Sequence, residues 1–260
     1  MNIADLKKQI KTTIQKIIVP EKTKVFFIHI PKTGGTSIDF AIRKHYRHSY
    51  GRIEAAPSYQ TAKLFAHINL EEGKIDRLLE FREKLVIYEM YKGTQYISGH
   101  APYNSNRGKI FHNQYLYITC LRDPVKRYIS NYFYNVYKES DHFRIHEDLP
   151  TFLTTPRGKE AGYEYVRYIG GISEQSDYTS AEAIEQAKNN IANFHLVGFL
   201  DDLTVFRTKF QQSTGINLKI RHERKNPIKN PEVDAETLEK IKLICAPDIK
   251  LYEYAKNKFN

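Results

Sequence analysis

The chain has 260 residues with 41% hydrophobic and 27% charged side chains, so it is long and apolar enough to bury a core and is not a disordered polymer. Its formal net charge of +10 favours anionic partners such as nucleotides, acidic glycans, nucleic acid or anionic membrane. Its two cysteines, Cys120 and Cys245, stand far apart among apolar neighbours, which excludes a disulfide framework or a zinc cluster and reads as buried free thiols.

No apolar run approaches the ~20 residues of a membrane-spanning helix. Met1–Val19 carries Ile3, Leu6, Ile10, Ile14, Ile17 and Ile18 at helical spacing with Lys between them. It lacks the apolar core and cleavage site of a signal peptide and reads as an amphipathic helix over residues 1–20, packed on its own domain, with a basic helix on a membrane surface as the alternative. Pro20 separates it from the domain that follows, 21–260. Lys24–Ile30 (KVFFIHI) reads as a short buried strand, then a Gly-containing loop, then a helix from about Thr36 to Tyr46. Ser49–Thr61, with Gly51 and Pro57, reads as a loop. Leu70–Tyr91 holds an amphipathic helical stretch.

Gln95–Gly99 and Gln114–Leu121 read as further strands, and Asp123–Tyr137 as a strong helix started by an Asp cap and Pro124. A helix is expected through Glu164–Ile169, and another over Ser180–Asn193, with Ser180 as its cap. Phe194–Gly198 is an apolar strand and Asp201–Ser213 a helix. A helical segment begins at Asp234, breaks at Pro247 and resumes over Asp248–Phe259. This alternation predicts an α/β fold: a single P-loop-like domain with a central, mainly parallel sheet flanked by helices.

The segment Phe27–Ser37 (FIHIPKTGGTS) runs an apolar strand into a tight loop that opens a helix. Gly34 and Gly35 let backbone approach a ligand closely, and Thr36 and Ser37 are placed to cap the helix. Its first N–H groups and dipole then face an anion. Lys32 adds a point charge, and Thr33, Thr36 and Ser37 add hydroxyls. Because Lys32 precedes the glycines and no Gly lies upstream, the loop is a poor match to the ATP/GTP Walker pattern. The bland alternative is a capped strand-to-helix turn.

A second anchor lies in Tyr117–Tyr134 (YITCLRDPVKRYISNYFY). Arg122 sits where a strand hands over to a helix, the edge at which α/β sheets bind ligands. Ser130 follows two turns on, and an Arg with a hydroxyl suits a second phosphate. The plain alternative for Arg122 is an ion pair with Asp123 or another carboxylate.

HIPKTGGTS followed by LRDPVKRYISNYF resembles the sulfotransferase family that uses 3′-phosphoadenosine 5′-phosphosulfate, in particular the carbohydrate-type branch with the heparan sulfate 2-O- and 6-O-sulfotransferases and bacterial relatives. The resemblance runs from about Val25 to Phe259. FHLVGF at Phe194–Phe199 and DIKLYEYA at Asp248–Ala255 support it. It implies that Lys32, Thr33, Gly34, Gly35, Thr36 and Ser37 hold the donor's 5′-phosphosulfate. It implies that Arg122 and Ser130 hold its 3′-phosphate.

The acceptor is then a glycan or small-molecule hydroxyl, with a saccharide preferred because of the branch. No metal, nucleic-acid partner or membrane span is expected. Golgi relatives carry an anchor that this sequence lacks, so a bacterial cytoplasmic enzyme is expected.

Sulfuryl transfer needs donors that meet charge on the leaving group, for which Lys32 is placed, and a base for the acceptor proton. His100, in ISGHAPY, follows a predicted strand and is the expected base, with a near-neutral pKa. His29, in the first strand, reads as structural. Arg167 resembles a family segment near the active site and is a further donor or acceptor contact. Arg221–Lys225 (RHERK) is either a loop over the nucleotide or a solvated charge run. Three rival readings stand: a P-loop nucleotide kinase, a basic nucleic-acid-binding protein, and a metal enzyme using His142 and His146.

Overall fold

The computed structural model describes Asn2, Asp5 and residues 22–66, 75–104, 110–140, 143–171, 177–220 and 231–260. The predicted N-terminal helix, Arg221–Lys225 and His142 lie outside these residues.

Among the described residues, five strands form one all-parallel sheet: β1 (Lys24–Ile28), β2 (Tyr50–Ile53), β3 (Tyr96–Gly99), β4 (Tyr115–Leu121) and β5 (Leu196–Phe199), in the order β2-β3-β1-β4-β5. β1 lies at the centre, and Val25, Phe26, Phe27 and Ile28 are all buried. An unbroken apolar run is what a central parallel strand requires, because helices cover both of its faces.

Alternation along β1 divides the core. Phe26 and Ile28 join Leu79 and Val86 of helix α3 (Ile75–Tyr91) and Leu251 and Ala255 of helix α11 (Ala246–Phe259). Val25 and Phe27 face the other way. They meet Ile38 and Ile42 of helix α1 (Gly35–Arg43) and Phe206 and Phe210 of helix α9 (Thr204–Thr214). A satellite core joins helix α4 (Pro124–Tyr137) to α5 (Leu149–Thr154) and α10 (Ala235–Ile244). Both cysteines are buried and free, as expected.

The chain breaks between α10 and α11 with Pro247 in the first turn of the new helix, as the sequence predicts. Asp123 caps α4 by accepting from the Lys126 N–H at 2.9 Å. Ser180 caps α8 (Ala181–Ile191).

The Ser49–Thr61 expectation is corrected. It holds β2 and the start of helix α2 (Ala55–Ala66). β2 is an edge strand with mostly uncovered side chains, so it carries no apolar signal. Pairing with β3 creates it, with Tyr50 against Tyr96 and Ile53 against Gly99. At Gly51 an added Cβ would lie 2.7 Å from the Glu89 carboxylate, so a side chain there would displace it.

Candidate active site

Parallel strands leave their carboxyl ends on one edge. Ile28 is in register with both Gly99 and Thr119, so the loops after β1, β3 and β4 emerge side by side. β2 and β3 lie to one side of β1, and β4 and β5 to the other. The chain therefore opens a crevice at this edge, next to the central strand.

The loop after β1 turns through two left-handed residues, Lys32 (φ 68°) and Gly34 (φ 77°). The second is the N-cap residue immediately before α1. The expected capping by Thr36 and Ser37 is corrected: α1 begins one residue earlier, at Gly35, and no side chain caps it. Thr36 and Ser37 lie inside the first turn, partly exposed. Thr33 turns inward, fully buried, and its hydroxyl donates to the Ile30 carbonyl at 2.9 Å. That hydroxyl braces the loop from beneath and does not face the crevice.

Gly35 is required by packing. A Cβ there would sit 2.1 Å from His29 Cδ2 and 2.4 Å from its Nε2. The His29 ring is stacked on Phe27 at 5.6 Å and lies 4.5 Å from the His100 ring. His29 follows directly on β1 and fills the space between the loop and His100.

His100 Nδ1 lies 2.6 Å from the His29 carbonyl oxygen. A carbonyl only accepts, so Nδ1 carries the hydrogen, and Nε2 of the neutral ring keeps its lone pair. The near-neutral expectation is corrected: burial lowers the His100 pKa to about 4, helped by the Arg82 and Arg52 cations and opposed by the bond to His29. Burial likewise holds His29 well below the usual imidazole value.

Arg82 is itself buried. It donates to Ser58 Oγ at 2.9 Å, to the Ala55 carbonyl at 3.1 Å and to the His100 carbonyl at 3.4 Å, tying α2 to the His100 loop.

On the other side of β1, Arg122 Nη1 approaches the Lys32 carbonyl oxygen at 3.5 Å, a long contact that joins the two predicted anchors. The ion-pair alternative through Asp123 is not what is seen, since that carboxylate accepts from Lys126 N–H. Ser130 lies on α4, partly exposed, one turn before Tyr134. The Lys32 ammonium sits over the Tyr134 ring, 3.6 Å from its centroid, a cation–π contact that sequence reasoning missed. The i, i+4 spacing of Ser130 and Tyr134 on one helix face was the available signal.

Arg167 is corrected as a ligand contact. It is buried on helix α7 (Glu164–Gly170) and pairs with Asp76 (3.3 Å), Glu160 (3.2 Å) and Glu164 (3.4 Å). A guanidinium so surrounded is spent on joining α3, α6 (Pro156–Glu160) and α7.

Among the described residues, no group of three or more His, Cys, Asp or Glu is arranged to hold a metal, and no helix is long and apolar enough to cross a membrane.

Among curated proteins, none matches the chain. A family model described as the sulfotransferase family matches residues 15–255, nearly the whole length. With a five-stranded parallel sheet and a strand–loop–helix element at its carboxyl edge, the chain belongs to the sulfotransferase family.

Proposed function

We propose that this sulfotransferase moves a sulfuryl group from 3′-phosphoadenosine 5′-phosphosulfate to a hydroxyl of a saccharide or glycan. The observation that supports the reading is the 3.5 Å approach of Arg122 Nη1 to the Lys32 carbonyl, which brings these two cationic residues together. The turn before α1, with its left-handed Lys32 and Gly34 and a first turn without a side-chain cap, suits the 5′-phosphosulfate. Lys32, Gly34, Gly35, Thr36 and Ser37 hold it through backbone N–H groups, hydroxyls and charge. Arg122 and Ser130 hold the 3′-phosphate.

In the reaction, the acceptor oxygen forms a bond to sulfur as the bond from sulfur to the bridging phosphate oxygen breaks. The acceptor proton passes to His100 Nε2, and adenosine 3′,5′-bisphosphate leaves with the electron pair. Lys32 meets the charge that grows on the bridging oxygen. To do so its ammonium leaves the Tyr134 ring, a contact worth ~0.5–1 kcal/mol at a partly exposed site. The donor's negative charge opposes the Arg52 and Arg82 cations and raises the basicity of His100. A net charge of +10 favours an acceptor that carries acid groups.

Melting the protein with nucleotides tests the donor. Adenosine 3′,5′-bisphosphate at 100 times its Kd adds ~2.7 kcal/mol and raises Tm by roughly 5–10 °C. ATP and ADP at equal concentration should raise it far less. Equal or greater stabilisation by ATP with magnesium would replace this reading with the kinase alternative.

A further inference from the structure

Arg122 occupies a backbone position that the sheet leaves without partners. β4 ends at Leu121, which is in register with Phe199, and its pairing with β1 ends earlier, at Thr119. α4 begins only at Pro124. The N–H and C=O of Arg122 therefore lie between a ladder that has stopped and a helix that has not started, where a buried peptide group needs partners from elsewhere.

One side chain supplies both. The Tyr165 hydroxyl accepts from Arg122 N–H at 2.9 Å and donates to the Arg122 carbonyl at 2.6 Å. Tyr165 is fully buried on α7, 43 residues away in sequence. Its own backbone is also held. Asp248, fully buried, accepts from Tyr165 N–H through both carboxylate oxygens at 2.9 Å, and from Val166 N–H at 3.0 Å. From α11 through α7, one hydrogen-bonded line ends on the two peptide groups that flank the Arg122 Cα.

Two hydrogen bonds to one hydroxyl hold the peptide groups on either side of the Arg122 Cα, the N–H of one and the carbonyl of the next, and with them the direction in which Cα projects its side chain. We infer that Tyr165 is a positioning residue that sets Arg122 for recognition of the donor's 3′-phosphate, and so contributes to the choice of a 3′-phosphorylated nucleotide. This rests on the proposed role of Arg122. Tyr165 touches no substrate; it acts through Arg122.

The test is the ratio of affinities for adenosine 3′,5′-bisphosphate and adenosine 5′-monophosphate, measured by calorimetry on the full chain. A ratio taken within one variant cancels any general loss of folded protein. Tyr165→Phe removes the hydroxyl and keeps the ring. It should lower the ratio by about tenfold, the scale of two lost neutral hydrogen bonds, with affinity for the monophosphate within about twofold of the parent.

Arg122→Ala is measured alongside and should reduce the ratio to near one. If Arg122→Ala does so while Tyr165→Phe leaves the ratio within about twofold, the inference fails and the donor reading stands. If Arg122→Ala leaves the ratio unchanged, the donor reading fails and takes the inference with it. Should Tyr165→Phe not fold, amide exchange in the parent decides. A preset Arg122 peptide should exchange within about tenfold of the Cys120 amide without nucleotide, and loop-like fast exchange overturns the inference.

Discussion

Replacing Gly35 with Ala probes the packing that joins the loop after β1 to His100. The backbone of Gly35 is ordinary helix, so no conformational penalty applies, and the whole effect comes from space. The new Cβ would stand 2.1 Å from His29 Cδ2, where ordinary contact begins at 3.4 Å. An overlap of ~1.3 Å cannot be absorbed by rotating the ring, which is held between Phe27 and His100.

Overpacking of this kind costs about 2 kcal/mol. In a chain of this size that lowers Tm by roughly 4–8 °C. The loop is displaced with it, so affinity for adenosine 3′,5′-bisphosphate should fall in the same variant. Thermal melts of Gly35→Ala, His29→Ala and the double variant form the assay. If the clash is with the ring, removing the ring relieves it, and the double variant should be more stable than the sum of the singles by at least ~1 kcal/mol. Strict additivity, or an unchanged Tm in Gly35→Ala, would refute the argument.

Three further outcomes follow from the site. His100→Ala should cut turnover by ~10²- to 10⁴-fold while bisphosphate affinity stays within about twofold; activity that survives removes His100 as the base. Because the free enzyme holds His100 near 4, the ring is already unprotonated above about pH 5. The acid limb of kcat/KM should then lie near pH 4, and a limb near 6.5 would show that the ring is not buried as described. Arg167→Met strips the cation from Asp76, Glu160 and Glu164 and should cost ~3–5 kcal/mol. Burial already raises the Asp76 and Glu160 pKa values, so the folded variant binds protons more readily than its unfolded chain, and the deficit relative to the parent should shrink from pH 7 to pH 5. A deficit independent of pH would mean that lost packing, not charge, carries the cost.

The parts legible in the sequence were those encoded in contiguous residues. β1 is legible because KVFFI is covered on both faces, so nothing in it alternates with polar residues. The order of Lys32 ahead of Gly34 and Gly35 set the loop apart from an ATP-binding turn. Asp123 with Pro124 marked the start of α4, and with it the place of Arg122.

What stayed illegible depends on partners distant in the chain. β2 exists because β3 pairs with it, and its exposed side chains carry no pattern of their own. Arg167 reads as a ligand contact until α3 and α6 bring Asp76 and Glu160 to it. The basicity of His100 follows from burial and from Arg82, 18 residues away. Nothing near Tyr165 in sequence points to Arg122. The sequence by itself thus determined the α/β class, the strand–loop–helix segments around Lys32 and Arg122 and the family they resemble, since a strand, a loop and a helix cap are local events. Only the tertiary structure decided which carbonyl orients His100, what occupies Arg167 and what holds Arg122, because each depends on groups that meet only after the sheet has assembled.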